Sequence, residues 1–225
     1  MFTFPQETNT AHVRLTSSQN LQAVTVCLSY LQNLKRDYSL FSLALPSFDN
    51  DFLLLKSANL DSFQMYVRNT AANFEGLDFK LNKWQSVCAT WDAASGLAQL
   101  WVDGKPSSRK FTSSGSNING PIIIALGQEQ DSYGGKFDIK QSFVGMMTDV
   151  HMWDYVLSSC EIQNYVDNLN FSPGNVLNWK ALTFEITGRV LIENKQVSML
   201  CSYTPVESDL YSASPLFPLT SVCMT

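Results

Sequence analysis

The sequence predicts an all-β fold built as a sandwich, with one short helix. Three observations carry this. Runs rich in β-branched and aromatic residues recur between turn signals spaced roughly 8–15 residues apart. Aromatic residues make up 12% of the 225-residue chain, with 11 Gly and 8 Pro as punctuation. Only one segment shows helical periodicity.

The elements follow in order. Ala23–Tyr30 and Tyr38–Leu45 are β-forming runs, and Phe52–Leu55 is a third. Phe63, Met65 and Val67 alternate onto one face. Lys80–Lys83 leads into the clearest hairpin. Its arms are Trp84–Trp91 and Leu97–Val102, joined by the turn Asp92–Gly96. In the second arm Ala98, Leu100 and Val102 face one way and Leu97, Gln99 and Trp101 the other. Asp103-Gly104 ends that strand with a tight turn. Pro121–Leu126 is a continuous apolar run, the pattern of a strand buried on both faces. Asp149–Trp153 reads as a further strand. His151 is a surface or packing residue there, and His12 lies in a polar setting near the start. Between this strand and the end of the chain, Ser158-Ser159-Cys160-Glu161 forms a capping box. Ile162, Tyr165, Val166 and Leu169 follow at i, i+3, i+4 and i+7. This predicts one amphipathic helix near 158–169. From Leu200 the periodicity is lost, and residues 200–225 read as an irregular, cysteine-containing tail to a folded domain at 1–199. Asn170-Phe171-Ser172 is a glycosylation sequon, disfavoured by the Pro173 that follows.

Composition excludes several classes of function. The 15 Lys and Arg against 20 Asp and Glu give a net charge of −5, which argues against a generic binder of nucleic acid or anionic membranes. With 45% hydrophobic and 16% charged residues, the chain can fold around a large core. No apolar run approaches the ~20 residues of a membrane span. Two histidines leave little room for His-clustered metal sites or for most catalytic triads. No nucleophile elbow, P-loop or dinucleotide fingerprint occurs. The segment Met1–Glu7 has neither a basic nor an apolar region, so it does not read as a signal peptide. Five cysteines, Cys27, Cys88, Cys160, Cys201 and Cys223, lie without a C-x-x-C pair, so tight zinc spacing is absent. They are secreted disulfides or buried thiols, and composition alone leaves both open.

The richest polar cluster is Gly127–Gly135, with Glu129, Gln130 and Asp131 at its centre and Asp138 and Gln141 beyond. Carboxylates, amides and carbonyls are hard oxygen donors, and calcium takes 6–8 of them. Asp49-Asn50, in a turn far away in sequence, can add to such a shell. Taken alone, the run reads first as a solvated polar loop. A glycosidase pair is a further reading, because Glu129 and Asp131 alternate, as do Asp49 and Asp51. The third alternate position is Tyr133, and the loop is glycine-rich, so the chain is read as no enzyme.

Ser86-Val87-Cys88-Ala89-Thr90-Trp91 resembles the pentraxin signature H-x-C-x-[ST]-W-x-[ST], with Ser86 and Ala93 as departures. Leu100–Pro106, Leu126–Gly135, Val150–Asp154 and Asn175–Trp179 extend the resemblance, which covers roughly Phe2 to Val197. The resemblance, to the short pentraxins, implies a flattened two-sheet jelly roll of the lectin-like, concanavalin type. It implies a secreted, calcium-dependent pattern-recognition protein of innate immunity, assembled as a ring of identical subunits, usually five. It implies a Cys27–Cys88 disulfide. It implies that Asp49, Asn50, Glu129, Asp131 and the carbonyl of Gln130 hold one Ca2+. Glu129 and Asp131 would bridge to a second, shared with Asp138 and Gln141. Asp138 stands where the family has glutamate, one methylene longer, so a weaker second site is expected. Phosphocholine or another phosphate-bearing ligand would complete the shells. In the organic half of that pocket Leu55 stands where an aromatic is usual and Ala71 where glutamate is usual, so only a modest gain from choline is expected. Asp103 and Lys105 match a complement-binding groove, but Val166 replaces its tyrosine. Cys201 would pair with Cys223 in the tail, leaving Cys160 free or intermolecular. A laminin-G-like adhesion module without calcium-dependent binding is the alternative.

Overall fold

The computed structural model describes residues 1–58 and 62–195. Its strands are β1 (Phe2–Phe4), β2 (His12–Leu21), β3 (Ala23–Leu31), β4 (Tyr38–Leu45), β5 (Phe48–Ser57), β6 (Ser62–Val67), β7 (Thr70–Phe74) and β8 (Gln85–Asp92). They continue with β9 (Leu97–Val102), β10 (Lys105–Pro106), β11 (Lys110–Phe111), β12 (Ile118–Leu126), β13 (Gly145–Trp153), β14 (Glu185–Thr187) and β15 (Leu191–Ile192). Among the described residues the one α-helix, α1, is Ser159–Val166.

Two antiparallel sheets face each other. One runs β10-β9-β8-β3-β13-β1-β15, with β11 on β9; the other runs β14-β2-β12-β4-β5-β6-β7. The alternation seen in the sequence is the burial pattern: Phe63, Met65 and Val67 are sealed in the core, as are Ala98 and Leu100. The apolar run of β12 is explained by position. β12 lies between β2 and β4, and Ile122, Ile124 and Leu126 point into the core. Ile123 and Ala125, on its other face, are buried as well.

The helix starts as the capping box predicts. Ser158 Oγ accepts from Glu161 N, and the Glu161 carboxylate accepts from Ser158 N at 2.8 Å. It ends earlier than the periodicity suggests. Leu169 lies beyond the last turn and is exposed, so it is no part of the packed stripe. Ile162 and Tyr165 are the buried contacts. The Tyr165 hydroxyl donates to the Asp149 carbonyl at 2.8 Å. That carbonyl is presented at a bulge in β13, where Asp149 takes φ 55°.

Beneath the helix lies a small second core of Cys27, Cys88, Trp153, Leu157, Ile162 and Tyr165. Cys27 and Cys88 face each other directly across β3 and β8 and are joined by a disulfide, as expected. His151 belongs to this layer as a packing residue. It stacks on Trp153 and accepts from Gly174 N at 3.2 Å. Cys160 is exposed and free. The expected pairing of Cys201 with Cys223, the tail and the boundary at 199 lie outside the described residues.

Candidate functional site

The outer face of the second sheet carries the candidate site. Gly127, at φ 85°, turns the chain off β12, and a side chain there would collide with the Phe4 ring. The loop then folds back over β12, which explains why Ile123 and Ala125 are covered. Gln130 is its peg. Its Nε2 donates to the carbonyls of Ser42 (2.8 Å) and Ile123 (3.2 Å), and its Oε1 accepts from Gly134 N at 2.9 Å. Gln128 is a second peg, donating to the carbonyls of Thr8 and Ala11. The loop is thus solvated only in its second part: Gln128, Glu129 and Gln130 are buried, whereas Asp131, Tyr133 and Gly134 are exposed. With its side chain committed, Gln130 keeps its main-chain carbonyl for the role the resemblance assigns.

Asp49 and Asn50 do not lie in a turn; they open strand β5. The strand holds them rigidly. Asn50 N bonds the Asn69 side chain at 2.9 Å, and Asn69 N returns a bond to the Asn50 carbonyl at 2.9 Å. Next to them Asp51 is fully buried against Arg68, at 3.2 Å. Arg68 also reaches the Asn117 carbonyl and lies 4.0 Å over the Phe48 ring. The ion pair pins the β6–β7 turn beneath the Asp49-Asn50 end of β5.

These elements bring Asp49, Asn50, Glu129 and Asp131 together. Burial first, then the Asp131 and Asp49 charges, push the Glu129 carboxyl up to about 7, while the Asn50 side chain works against the rise. Two oxygens, Asn50 Oδ1 and Glu129 Oε2, are buried and meet no hydrogen-bond donor. Buried acceptors ordinarily find partners, so a cation fits this pair of oxygens. The convergence is partial. Among the described residues, no three His, Cys, Asp or Glu side chains close into a ready metal cluster. Asp138 is exposed and accepts from Lys140 N at 2.9 Å, capping the turn that contains Gln141. No hydrogen bond joins Asp138 or Gln141 to Glu129 or Asp131 among the described residues.

The ligand half of the site differs from expectation. Leu55 is only 5% exposed and offers little surface, while Ala71 is exposed. The register places Tyr66 between Leu53 and Ala71 on the same face, and its side chain is partly open. Sequence reasoning missed Tyr66. The alternation of β6 could have found it, because Phe63, Met65 and Val67 take the core and leave Gln64 and Tyr66 outside. On the opposite sheet, both Asp103 carboxylate oxygens are occupied, by Ser86 N (2.8 Å) and Gln85 Nε2 (2.9 Å). Lys105 is exposed, and Val166 packs against the second core.

Two sheets with the donor loop laid across one face define a lectin-like jelly-roll sandwich. The chain belongs to the pentraxin family: the sequence profile of the Pentaxin family matches residues 1–194. It is 41% identical to the mucosal pentraxin of Rattus norvegicus over 196 residues, covering 86% of both chains. It is 40% identical to the C-reactive protein of Homo sapiens over 193 residues, covering 84% of this chain and 85% of that one. The fold matches the native heptameric SAP-like pentraxin from Limulus polyphemus with a TM-score of 0.75 at 25% identity, covering 84% of this chain and 92% of that one.

Proposed function

We propose that this pentraxin is a secreted, non-enzymatic recognition protein of innate immunity that binds phosphate-bearing ligands through Ca2+. The observation that carries the reading is the pair of unpartnered buried oxygens, Asn50 Oδ1 and Glu129 Oε2, beside Asp49 and Asp131. Those four side chains and the Gln130 carbonyl would hold the first ion. Asp138 and Gln141 would contribute to a weaker second one. Bound calcium supplies a positive centre that an anionic ligand oxygen can complete. The protein's own part is to hold the donors: Gln130 fixes the loop, and Asn69 and Arg68 fix the strand end. The disulfide supports an oxidising, extracellular compartment.

Tyr66 gives the ligand's organic part an aromatic face, worth about 0.5–1 kcal/mol to an exposed cation. No carboxylate accompanies it at Ala71. The ligand class is therefore a phosphate monoester with modest preference for choline. The test is competition between phosphocholine and phosphoethanolamine for the calcium-loaded protein. A preference of no more than about tenfold is expected; one of a hundredfold or more overturns it. Retention on a phosphate-bearing resin that is indifferent to chelator would favour an adhesion module. The family relationship supports a ring of identical subunits, closed through a heterologous interface. Five is the proposed number, and sedimentation of the full chain measures it. Complement recruitment by the helix face would have to use Lys105, because Asp103 is committed internally.

A further inference from the structure

A groove of about 790 Å3 lies on the outer face of the first sheet, on the far side of the sandwich from the calcium loop. Strand β9 forms its floor. Ala98, Leu100 and Val102 take the core, so Gln99 and Trp101 turn outward, each half-buried. One wall is the connection from β13 to α1, residues 154–158. Thr25 Oγ1 pins it, donating to the Tyr155 carbonyl at 2.7 Å and accepting from Leu157 N at 3.0 Å. The Asn175 side chain brackets Asp154, accepting from its N at 3.1 Å and donating to its Oδ1 at 2.6 Å. The other wall follows β10. There Gln99 Nε2 donates to the Ser107 carbonyl at 2.8 Å, and Arg109 Nε donates to Gln99 Oε1 at 3.2 Å. Both walls are held by the protein's own hydrogen bonds, which lowers the ordering cost of binding.

The lining combines aromatic surface with open polar groups. Tyr155 is 38% exposed and Trp101 half-buried, and both line the groove. Burial first, then the Glu161 and Asp154 charges, raise the Tyr155 phenol, which places both carboxylates close to that ring. Asp154 uses Oδ1 on Asn175, and Glu161 uses Oε2 in the capping box. Among the described residues, Asp154 Oδ2 and Glu161 Oε1 therefore accept no hydrogen bond. Across the groove, the two terminal nitrogens of Arg109 have no partner among the described residues. The charges select the occupant. Three acids, Asp92, Asp154 and Glu161, outweigh one base, Arg109, so an anion is disfavoured. A simple cation would leave Arg109 unmatched. A neutral polyol suits both sides, because its hydroxyls donate to the open carboxylate oxygens and accept from the guanidinium. Its C–H faces can lie on the aromatic rings. The volume falls within the roughly 300–1,000 Å3 of small-molecule sites.

We propose that this groove binds a neutral saccharide, with a sugar ring against Tyr155 and Trp101 and its hydroxyls on Asp154, Glu161 and Arg109. The site is independent of calcium. The test applies the full chain, stripped of calcium and kept in EGTA, to immobilised neutral oligosaccharides of glucose, galactose, mannose and N-acetylglucosamine. Sialylated and sulfated forms of the same chains serve as matched probes, and the best binder is titrated calorimetrically. Neutral glycans should be retained, with the acidic forms at least about fivefold weaker. Tyr155→Ala should weaken the neutral glycan by about three- to tenfold. Arg109→Ala, on the opposite wall, should do so by about three- to tenfold as well. Affinity should fall by less than about threefold between about 0.1 and 0.5 M salt, because the ligand carries no charge to screen. If Tyr155→Ala does not fold, Arg109→Ala and the salt series decide. Absence of chelator-resistant retention, a preference for the acidic forms, a larger fall with salt, or undiminished binding by either folded variant overturns the proposal.

Discussion

Replacing Glu129 by Gln should reverse the order of stability of two proteins when calcium is added. The Glu129 carboxylate is buried beside Asp131 and Asp49, and its displacement from 4.5 to about 7 corresponds to on the order of 3 kcal/mol against the charged form. Glutamine keeps the shape and removes the charge. It gives up some hydrogen bonding with Asn50, worth about 1 kcal/mol. The net gain without calcium is about 2 kcal/mol, or ~4–8 °C in Tm for a domain of this size. Calcium at a hundred times its Kd adds about 2.7 kcal/mol to a protein that binds it. The parent should gain that increment and the variant should lose most of it. The assay is thermal unfolding of both proteins at about pH 8, where the parent carboxylate is charged, once in EGTA and once in excess calcium. Glu129→Gln should melt higher in EGTA and no higher than the parent in calcium. A variant that is less stable in EGTA, or that keeps the full calcium increment, would refute the reasoning.

Further outcomes follow from other residues. Replacing Cys27 and Cys88 together by Ala should cost about 4 kcal/mol by the loop-closure model, since the bond spans 61 residues; a loss below about 1 kcal/mol in urea unfolding would contradict it. Calcium titration should show two unequal steps, and Asp138→Glu should strengthen only the weaker one; two equal, tight steps in the parent would remove the role given to Asp138. Burial first, with Lys180 in support and Asp149 and the Leu177 main chain opposing, holds His151 below 6.5. The unfolded chain therefore takes that proton at higher pH, and His151 withdraws stability as pH falls below about 6.5. NMR titration of its ring should give a midpoint under 6.5, and one at or above that value would refute the assignment.

Much of the fold was legible because the core writes its period into the chain. β6 and β9 announce themselves through the alternating Phe63-Met65-Val67 and Ala98-Leu100-Val102, and β12 through the continuous apolar run Pro121–Leu126. β2 was not read as a strand at all. Its second half, Thr16 to Asn20, is polar on both faces, and long-range pairing with β12 makes it a strand. The short edges β14 and β15 are equally silent, because edge strands carry little core. For the site, the oxygen chemistry of Gly127–Asp131 was readable and its burial was not, since Gln128 and Gln130 look like solvent residues until their amides find backbone carbonyls. Leu55 was read as a contact surface, but packing encloses it. Tyr66 was overlooked because a cross-strand neighbour is visible only once the register is known.

The disulfide lies beneath the helix, with Cys27 fully enclosed and Cys88 1% exposed. Thiol–disulfide exchange requires a thiolate to attack along a sulfur axis, and no reductant can approach through a docked α1. The bond is then lost only from states in which Ile162 and Tyr165 have let go of the sheet, so this local opening gates the chemical step. Cys160, although on the same helix, is on its exposed side and cannot serve as the attacking thiol while the helix stays in place. The cross-link can therefore persist for long periods in surroundings poised to reduce it, and its lifetime should shorten in any variant that loosens the helix, such as Tyr165→Phe, even when the cysteines are untouched.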